Sequence, residues 1–376
     1  MFSNSFVGKS VLVTGHTGFK GSWLCLWLHR LGAKVTGLSL EPPTSPNHFT
    51  EANIIDLLDL HIHADVRDEK AVGQAIQQSA PDLIFHLAAQ TVVRRGYREP
   101  LETFSTNVMG TACVLEAIRI ARRPCSVVVV TSDKCYDNRE QVWGYRESDP
   151  MGEKDPYGAS KGAAELVVRS YRDSYFPVSK IPQHGIKVAS ARAGNVIGGG
   201  DWTEDALIVD VINALSKNSP VLIRNPNAHR PWNHVLQALS GYLTLSAKLM
   251  TSDAPAFCSG WNIGPIPGNE IPVREVVKLL LEEWGEGSWI DGSDESAPPE
   301  ARVLRLCIDK ALWELNWKPC WDVRESIRQT AKWYRNRHVA KGNMRDFSLS
   351  QIVEYEEAMR LNSKANFVSS GSSRVT

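Results

Sequence analysis

The spacing of apolar residues along the chain predicts strands and helices that alternate. Short apolar runs rich in Val, Ile and Leu predict strands at residues 10–14, 34–39, 61–68, 81–90, 127–130, 186–192 and 261–265. Apolar residues three or four apart predict helices at residues 22–31, 103–120, 157–171, 237–250, 273–284 and 323–335. This alternation is typical of a parallel sheet with helices on both faces.

A glycine-rich turn joins the first predicted strand to the first predicted helix. Its sequence is Gly15-His16-Thr17-Gly18-Phe19-Lys20-Gly21. Glycines at these positions permit a tight turn and let backbone amides approach a pyrophosphate at the positive end of the helix. The turn therefore predicts a dinucleotide-binding site.

Further candidate contacts with the dinucleotide follow the next strands. Ser39 stands where an acidic residue usually binds the adenosine ribose, and no Arg or Lys beside it suits a 2′-phosphate, so we expect NAD rather than NADP. Asp65 could accept from the adenine amino group and Val66 could flank the ring. The small residues Ala88 and Ala89 at the end of the fourth strand would let the backbone approach the nicotinamide. Leu87 and Gln90 beside them are further candidate contacts with the cofactor, as is Asn107 on the following helix, whose amide can bond backbone close to the site.

Reactive side chains are concentrated between residues 127 and 161. Ser132, Asp133 and Lys134 follow a strand of four valines, and ligands of open parallel sheets bind at such strand ends. Tyr157 and Lys161 lie one turn apart on a predicted helix. An ammonium beside a phenol favours the phenolate, which can take the proton of a secondary alcohol while a cofactor takes the hydride. We therefore predict a redox-active site for an alcohol.

A second cluster of polar and aromatic residues follows the strand at 186–192. Asn195 lies in a glycine-rich loop and offers donors for a phosphate oxygen. Arg224, Arg230 and Trp232 form a basic and aromatic group in which arginine can bind a diphosphate and the ring can stack on a base. Arg302 is a further candidate. These residues predict a nucleoside diphosphate as part of the substrate.

Composition narrows the class of protein. The 376 residues include 42 Lys plus Arg and 42 Asp plus Glu, a balance that gives no indication of a nucleic-acid partner. The 7 cysteines are scattered, without Cys-x-x-Cys spacing, so we expect reduced thiols and no metal site. No apolar run approaches the roughly 20 residues of a membrane span, and no signal peptide is evident. We expect a cytoplasmic protein with no membrane partner.

The combined motifs resemble the extended short-chain dehydrogenase/reductase superfamily. The resemblance spans residues 8–360. Within the superfamily the chain is most similar to the nucleotide-sugar 4,6-dehydratases, because of four segments that occur together. The motifs of the superfamily are Gly15–Gly21, Asp65, Leu87–Ala89, Asn107, Thr131–Asp133, Tyr157 with Lys161, and Arg192–Asn195; the four segments are Gly15–Gly21, Val93–Pro100, Gly198–Trp202 and Arg230–Val235.

The resemblance implies a redox-neutral elimination of water from a nucleotide sugar, with CDP-glucose as the favoured substrate. In this scheme Tyr157, kept acidic by Lys161, takes the proton of the 4-hydroxyl, and Ser132 hydrogen-bonds the same oxygen. The hydride of carbon 4 passes to NAD and returns to carbon 6. Asp133 protonates the departing 6-hydroxyl. Where many such enzymes carry a glutamate as carbon 5 base, this chain has Lys134, which would act as the base or, protonated, stabilise the enolate.

Two other functions remain open from the sequence alone. A nucleotide-sugar 4-epimerase shares the fold, NAD and the Tyr-Lys pair, but has no need of an acid such as Asp133. A catalytically silent dinucleotide sensor would not need the tyrosine, serine and aspartate together.

The expected fold class is α/β, a Rossmann-type doubly wound parallel sheet with a smaller C-terminal substrate-binding α/β lobe. Residues 1–193 would form the NAD-binding domain, to which 234–264 returns. Residues 194–360 would be mainly the substrate domain, and 361–376 a disordered tail. Analogy within the superfamily implies a homodimer or homotetramer.

Overall fold

The computed structural model describes residues 2–266, 268, 271–293 and 304–371. Its strands are β1 (Ser10–Thr14), β2 (Lys34–Ser39), β3 (Leu60–His63), β4 (Leu83–His86), β5 (Cys125–Val130), β6 (Ile186–Arg192), β7 (Val196–Ile197), β8 (Val221–Ile223), β9 (His229–Arg230), β10 (Asn233–His234), β11 (Gly260–Asn262), β12 (Ile271–Pro272) and β13 (Trp289–Asp291).

The α-helices of the described residues flank these strands. They are α1 (Phe19–Arg30), α2 (His48–Glu51), α3 (Glu69–Ser79), α4 (Val93–Arg98), α5 (Pro100–Phe104), α6 (Gly110–Ala121), α7 (Pro156–Ser174), α8 (Ile181–His184), α9 (Leu207–Ser216), α10 (Val235–Leu249), α11 (Val273–Trp284), α12 (Asp309–Trp313), α13 (Val323–Arg335) and α14 (Met344–Gly371).

The central sheet has seven strands in the order β11-β6-β5-β4-β1-β2-β3, and all its pairs are parallel. The strand order reverses between β1 and β4, which makes a crevice at the carboxyl ends of these strands. The predicted doubly wound α/β fold is confirmed. Strand β11 lies beyond residue 193 and joins the sheet at the edge of β6.

The two faces of the sheet carry separate cores because successive side chains of a strand point to opposite sides. On β1, Val11 and Val13 belong to the core that includes α1 and α10, whereas Leu12 belongs to the core formed with α3 and α6. Both cores are fully buried around β1. The sheet is therefore covered by helices on both faces.

The C-terminal half forms small two-stranded sheets and helices beside the strand ends. Strand β7 pairs with β10, β9 with β12, and β8 with β13. The helices predicted at 273–284 and 323–335 match α11 and α13. Helix α14 continues to Gly371, into the segment predicted to be a disordered tail, and residues 372–376 lie outside the described residues.

One helix and three strands differ from the pattern predicted by hydrophobic spacing. The single helix expected at 103–120 is divided into α5, a π-helical turn Ser105–Met109, and α6. The strands expected at 61–68, 81–90 and 261–265 are shorter and end at His63, His86 and Asn262. Among the described residues, no helix has the combination of length and apolar character that a membrane crossing demands.

Candidate active site

The glycine turn between β1 and α1 is tightly packed. Gly15 has φ +76°, and a Cβ there would lie 2.7 Å from the backbone nitrogen of Ala88. A Cβ on Gly21 would lie 2.1 Å from the carbonyl oxygen of Gly15. Helix α1 begins at Phe19 and has no acidic residue in its first turn, so no carboxylate of that turn offsets the partial positive charge of its N-terminus. The turn fits a pyrophosphate.

Residues of the turn make separate hydrogen bonds to β2 and to β3. The Thr17 hydroxyl lies 2.8 Å from the Ser39 hydroxyl at the end of β2. His16 is buried, and its Nε2 lies 2.8 Å from Nδ1 of His61. Burial, with a contribution from His61, lowers the pKa of His16 to about 4, so this ring is neutral at physiological pH. Gly18 and Phe19 complete the turn beside Ser39.

Asp65 and Val66 follow β3 and have partners of their own. The Asp65 carboxylate accepts from the backbone nitrogen and guanidinium of Arg67, and these hydrogen bonds lower its pKa. Val66 is buried against Gly110, where a Cβ would lie 2.6 Å from its Cγ1. An adenine bound as predicted would therefore have to share the Asp65 carboxylate with Arg67.

Asn107 positions the segment after β4. Its side chain accepts from the Gln90 backbone nitrogen at 2.8 Å and donates to the Gln90 carbonyl at 3.0 Å and to the Ser160 hydroxyl at 2.8 Å. Ser160 in turn donates to the Tyr157 carbonyl at 2.6 Å. Asn107 thus links the Leu87–Gln90 segment to α7. Ala88 donates to the Thr14 hydroxyl at 3.3 Å, which ties the same segment to β1.

Ser132 and Asp133 extend from the end of β5 into the crevice. Both are buried, and the Ser132 hydroxyl donates to Oδ1 of Asp133 at 3.0 Å. Oδ2 of Asp133 is buried without a hydrogen-bond partner among the described residues. It faces Gly194, where a Cβ would lie 1.7 Å away. Only glycine at position 194 leaves room for this carboxyl group.

Tyr157 and Lys161 lie on α7 as predicted, and burial shifts the pKa of each side chain. Burial raises the pKa of Tyr157, and its hydrogen bond to Ser132 lowers it only in part. Burial, with the charge of Lys20, lowers the pKa of Lys161 to about 7. In the protein alone burial therefore opposes the charged form of each group, and the role of Lys161 in keeping the phenol acidic stays a prediction.

Lys20 and Lys134 bring two further amines to the site. Burial lowers the pKa of Lys20, and the charges of Asp133 and Asp201 raise it, so Lys20 is within electrostatic reach of Asp133. Lys20 belongs to the turn that was predicted to bind cofactor. Lys134 is half-buried after β5. Its charge offsets part of the rise that burial causes in the pKa of Glu153.

A buried ion pair beneath the site was missed by sequence reasoning. Glu165, on α7, lies 2.8 Å from Arg192 at the end of β6, and both side chains are at most 4% exposed. Glu165 also accepts from the Thr131 hydroxyl at 2.5 Å and from the Ser190 hydroxyl at 2.7 Å. Glu165 follows Lys161 by four residues on the same helix face, and this spacing is the signal that could have identified it.

The predicted substrate residues lie in the C-terminal half of the chain, and they differ in how exposed they are and in their partners. Asn195 is half-buried with φ +40°, directly after β6. Arg224 is half-exposed and forms ion pairs with Asp205 and Asp210. Arg230 is half-buried on β9. Trp232 is 7% exposed and packs in the core, and the stacking of its ring on a base stays a prediction. Arg302 lies outside the described residues.

No group of three or more metal-ligating side chains that could hold an ion occurs in the described part of the chain. The seven cysteines all carry free thiols.

Comparison with known proteins gives strong matches over most of the chain. The family model for GDP-mannose 4,6 dehydratase matches residues 12–330. A CDP-glucose 4,6-dehydratase of Salmonella typhimurium is 48% identical over 334 residues, which cover 88% of this chain and 92% of that protein. A dTDP-glucose 4,6-dehydratase of Streptomyces antibioticus is 28% identical over 338 residues, 87% of this chain and 92% of that protein.

Solved structures share the fold. A Thermus thermophilus UDP-glucose 4-epimerase in complex with NAD has a TM-score of 0.72 at 24% identity and covers 86% of this chain and 98% of its own. A Bacillus anthracis dTDP-glucose 4,6-dehydratase in complex with NAD has a TM-score of 0.70 at 19% identity, and the match covers 87% of this chain and 96% of that one. At these identities the structural likeness establishes the fold alone.

Proposed function

Because the chain belongs to the GDP-mannose 4,6 dehydratase family, we propose that it is an NAD-dependent nucleotide-sugar 4,6-dehydratase acting on CDP-D-glucose. The product is CDP-4-dehydro-6-deoxy-D-glucose, a deoxysugar precursor of the kind used in lipopolysaccharide O-antigens. The 48% identity with a CDP-glucose 4,6-dehydratase supports the choice of substrate.

One observation carries the choice of a dehydratase over other reactions of the fold. The carboxyl group of Asp133 is 2% exposed and lies next to Ser132 and Tyr157, the residues that would hold the 4-hydroxyl. Oxidation at carbon 4 needs a base but no second acid. A buried carboxyl group at this point supplies the acid that elimination of a hydroxyl requires.

NAD, when bound, would take the hydride of carbon 4 and return it to carbon 6. The glycine turn and the positive end of α1 would hold its pyrophosphate, with Ser39 at the ribose and Leu87–Gln90 at the nicotinamide. Tyr157 would take the proton of the 4-hydroxyl, and Ser132 would donate to the same oxygen. Asp133 would give its proton to the 6-hydroxyl as the carbon–oxygen bond breaks, so that water leaves.

Lys134 is the candidate for the step at carbon 5. Either its neutral amine takes the carbon 5 proton, or its ammonium stabilises the enolate while another group takes that proton. Its position directly after Asp133 supports both versions. For the nucleotide, Asn195, Arg224, Arg230 and the undescribed Arg302 are the proposed phosphate contacts. Substrate phosphates would have to displace Asp205 and Asp210 from Arg224.

The test is to incubate the purified protein with NAD and, separately, with CDP-, dTDP-, GDP- and UDP-hexoses, and to weigh the products by mass spectrometry. We expect loss of one water from CDP-glucose. Loss of water from another nucleotide sugar would keep the dehydratase and correct the substrate. Unchanged mass with inversion at carbon 4, seen by NMR, would replace the proposal with the 4-epimerase.

The assembly and location proposed are a homodimer or homotetramer in the cytoplasm. Exposed apolar residues on neighbouring helices support association: Leu101 is 84% exposed and Leu166 is 58% exposed. Their burial in a partner would remove apolar surface from water. Light scattering of the purified protein measures the mass directly, and a monomer would contradict this assignment.

A further inference from the structure

Tyr242 presents a buried hydroxyl group that has no established role. It lies on α10, and its side chain is 0% exposed. No residue in the described part of the chain hydrogen-bonds to this hydroxyl. Phenylalanine would fill the same space without burying a polar atom, and buried polar groups in folded proteins almost always have a partner. The hydroxyl therefore indicates a partner other than these side chains.

The surroundings of Tyr242 identify the neighbourhood of that partner. Helix α10 packs against β5 and β6, the strands whose ends lead to Asp133 and Gly194. Burial raises the pKa of Tyr242, and the charges of Tyr157 and Asp133 raise it further. Oδ2 of Asp133 is a second buried polar atom that lacks a hydrogen-bond partner among the described residues. Its Oδ1 already accepts from Ser132. A donor and an acceptor thus share one buried region.

We propose that Tyr242 is a positioning residue for Asp133, and that its hydroxyl reaches Oδ2 of Asp133 through one buried water molecule. The phenol donates to the water, and the water donates to Oδ2. Buried waters commonly join polar groups that have no direct partner.

The consequence for the reaction rests on the proposed dehydration. A base takes the carbon 5 proton, and the electron pair of the broken carbon 5–hydrogen bond forms a double bond to carbon 6 as the carbon 6–oxygen bond breaks. The O–H bond of the Asp133 carboxyl group breaks at the same stage, and its proton joins the departing 6-hydroxyl, which leaves as water. Asp133 is left as a carboxylate, while the phenol and the buried water keep their own protons. Their hydrogen bonds become stronger as the carboxylate forms, because charged acceptors bind donors more tightly. Tyr242 would therefore accelerate elimination without contacting the sugar.

The experiment has one arm that does not need activity. A crystal structure of the full-length wild-type protein is expected to contain an ordered water within hydrogen-bond distance of the Tyr242 hydroxyl and of Oδ2 of Asp133. Tyr242→Phe is expected to lose it. Absence of this water from well-ordered wild-type density would overturn the proposal, and this result does not depend on which substrate the enzyme converts.

The kinetic arm compares Tyr242→Phe with Tyr355→Phe. Tyr355 is equally buried, and its hydroxyl lies 3.1 Å from that of Ser240 on the same helix, so this variant loses a buried hydroxyl away from Asp133. We expect kcat for CDP-glucose to fall about tenfold in Tyr242→Phe, with KM unchanged, and to stay constant in Tyr355→Phe. The loss is expected to disappear when Asp133→Asn is already present.

Equal kcat losses in the two phenylalanine variants, or a Tyr242→Phe loss that persists in the Asp133→Asn background, would overturn the positioning role. A wild-type protein that leaves every nucleotide sugar unchanged would instead refute the proposed function, and the crystallographic arm would still decide whether Tyr242 and Asp133 share a water.

Discussion

Glu165 and Arg192 form a fully buried ion pair, 2.8 Å long, between α7 and the end of β6. Arg192 also donates to the Tyr136 hydroxyl at 2.7 Å and to the Glu147 carbonyl at 3.0 Å. The pair fixes α7 against the sheet four residues after Lys161. The positions of Tyr157 and Lys161 relative to the β5 end therefore depend on an ion pair that includes neither residue.

Removing the charge of Glu165 is expected to destabilise the protein strongly. In Glu165→Gln the Arg192 guanidinium stays buried without a counter-ion, which typically costs about 3–5 kcal/mol. Asp173→Asn is the control, because Asp173 pairs with Arg169 on the exposed side of the same helix. Asp173→Asn is expected to lower the unfolding free energy by less than about 1 kcal/mol. Denaturant unfolding measures the unfolding free energy of both variants. Similar decreases would show that the buried pair stabilises the protein no more than the exposed pair does.

The Glu165–Arg192 ion pair also predicts that the stability of the protein falls at acidic pH. Burial alone would raise the pKa of Glu165, but Arg192 and the hydroxyl donors lower it overall. A carboxyl group whose pKa is lowered by folding adds stability above its unfolded pKa of about 4.3, and this stability is lost as pH falls through the folded value. Unfolding free energy is therefore expected to decline less steeply with acid in Glu165→Gln than in the wild type.

Lys161 has the opposite effect, since its burial costs stability. The pKa of Lys161 is lowered to about 7 in the fold, whereas the unfolded chain holds the proton to about 10.4. Between these values the unfolded state binds more protons, so stability rises with pH, and the full cost remains below about pH 7. Lys161→Met should abolish turnover but raise the unfolding free energy by at least about 1 kcal/mol at about pH 6.

The increase in unfolding free energy caused by Lys161→Met should shrink toward about pH 10, where the wild-type amine loses its proton in the unfolded as well as in the folded state. Lys180→Met, at an exposed lysine, serves as the control and should leave stability nearly constant. A gain that is the same at both pH values would mean that the charge of Lys161 is not the source of the cost.

Local patterns in the sequence were sufficient to predict the sheet and the places in it where the candidate catalytic residues lie. The glycine turn follows a short apolar strand, and Ser132 and Asp133 follow another, so strand-end positions could be inferred without knowing how the chain packs. Tyr157 and Lys161 could be paired because a helix fixes the distance between residues four apart.

Features that depend on packing could not be predicted in this way. The Glu165–Arg192 contact exists only because α7 lies on β6, and the buried state of Trp232 depends on the surrounding lobe. The pKa of Tyr157 depends on how deeply the crevice is enclosed, which the spacing of Tyr157 and Lys161 does not reveal. Helix α14 reaches α1 through the bond from Trp27 to Glu356, 3.0 Å long, across most of the sequence.

A methyl group at Gly194 is expected to displace the acid of the proposed elimination. The added Cβ would lie 1.7 Å from Oδ2 of Asp133, so the carboxyl group must move. Misplacement of a reacting group by about 1 Å can cost about 100-fold in rate. We expect Gly194→Ala to lower kcat for dehydration by about that factor while cofactor binding is kept. Gly73→Ala, where a Cβ meets open space on α3, is the control.

A double-mutant cycle shows whether Gly194 acts through Asp133. If it does, Gly194→Ala combined with Asp133→Asn should be no slower than Asp133→Asn alone, because the group that Gly194 accommodates is already disabled. Losses that multiply in the double variant would mean that the methyl group disturbs another part of the site.

Lys134 offers a test that separates its two proposed roles. Lys134→Ala should lower turnover and the exchange of solvent deuterium into carbon 5 of the sugar by about 10²–10⁴-fold, because either role would be lost. Lys134→Arg keeps the positive charge but cannot act as a base, since a guanidinium is not deprotonated in proteins. Exchange that survives in Lys134→Arg assigns enolate stabilisation, and exchange lost in both variants assigns the base. Lys154→Ala, at an exposed lysine nearby, is the control. Undiminished exchange in Lys134→Ala would remove Lys134 from the mechanism and leave the carbon 5 proton to another group.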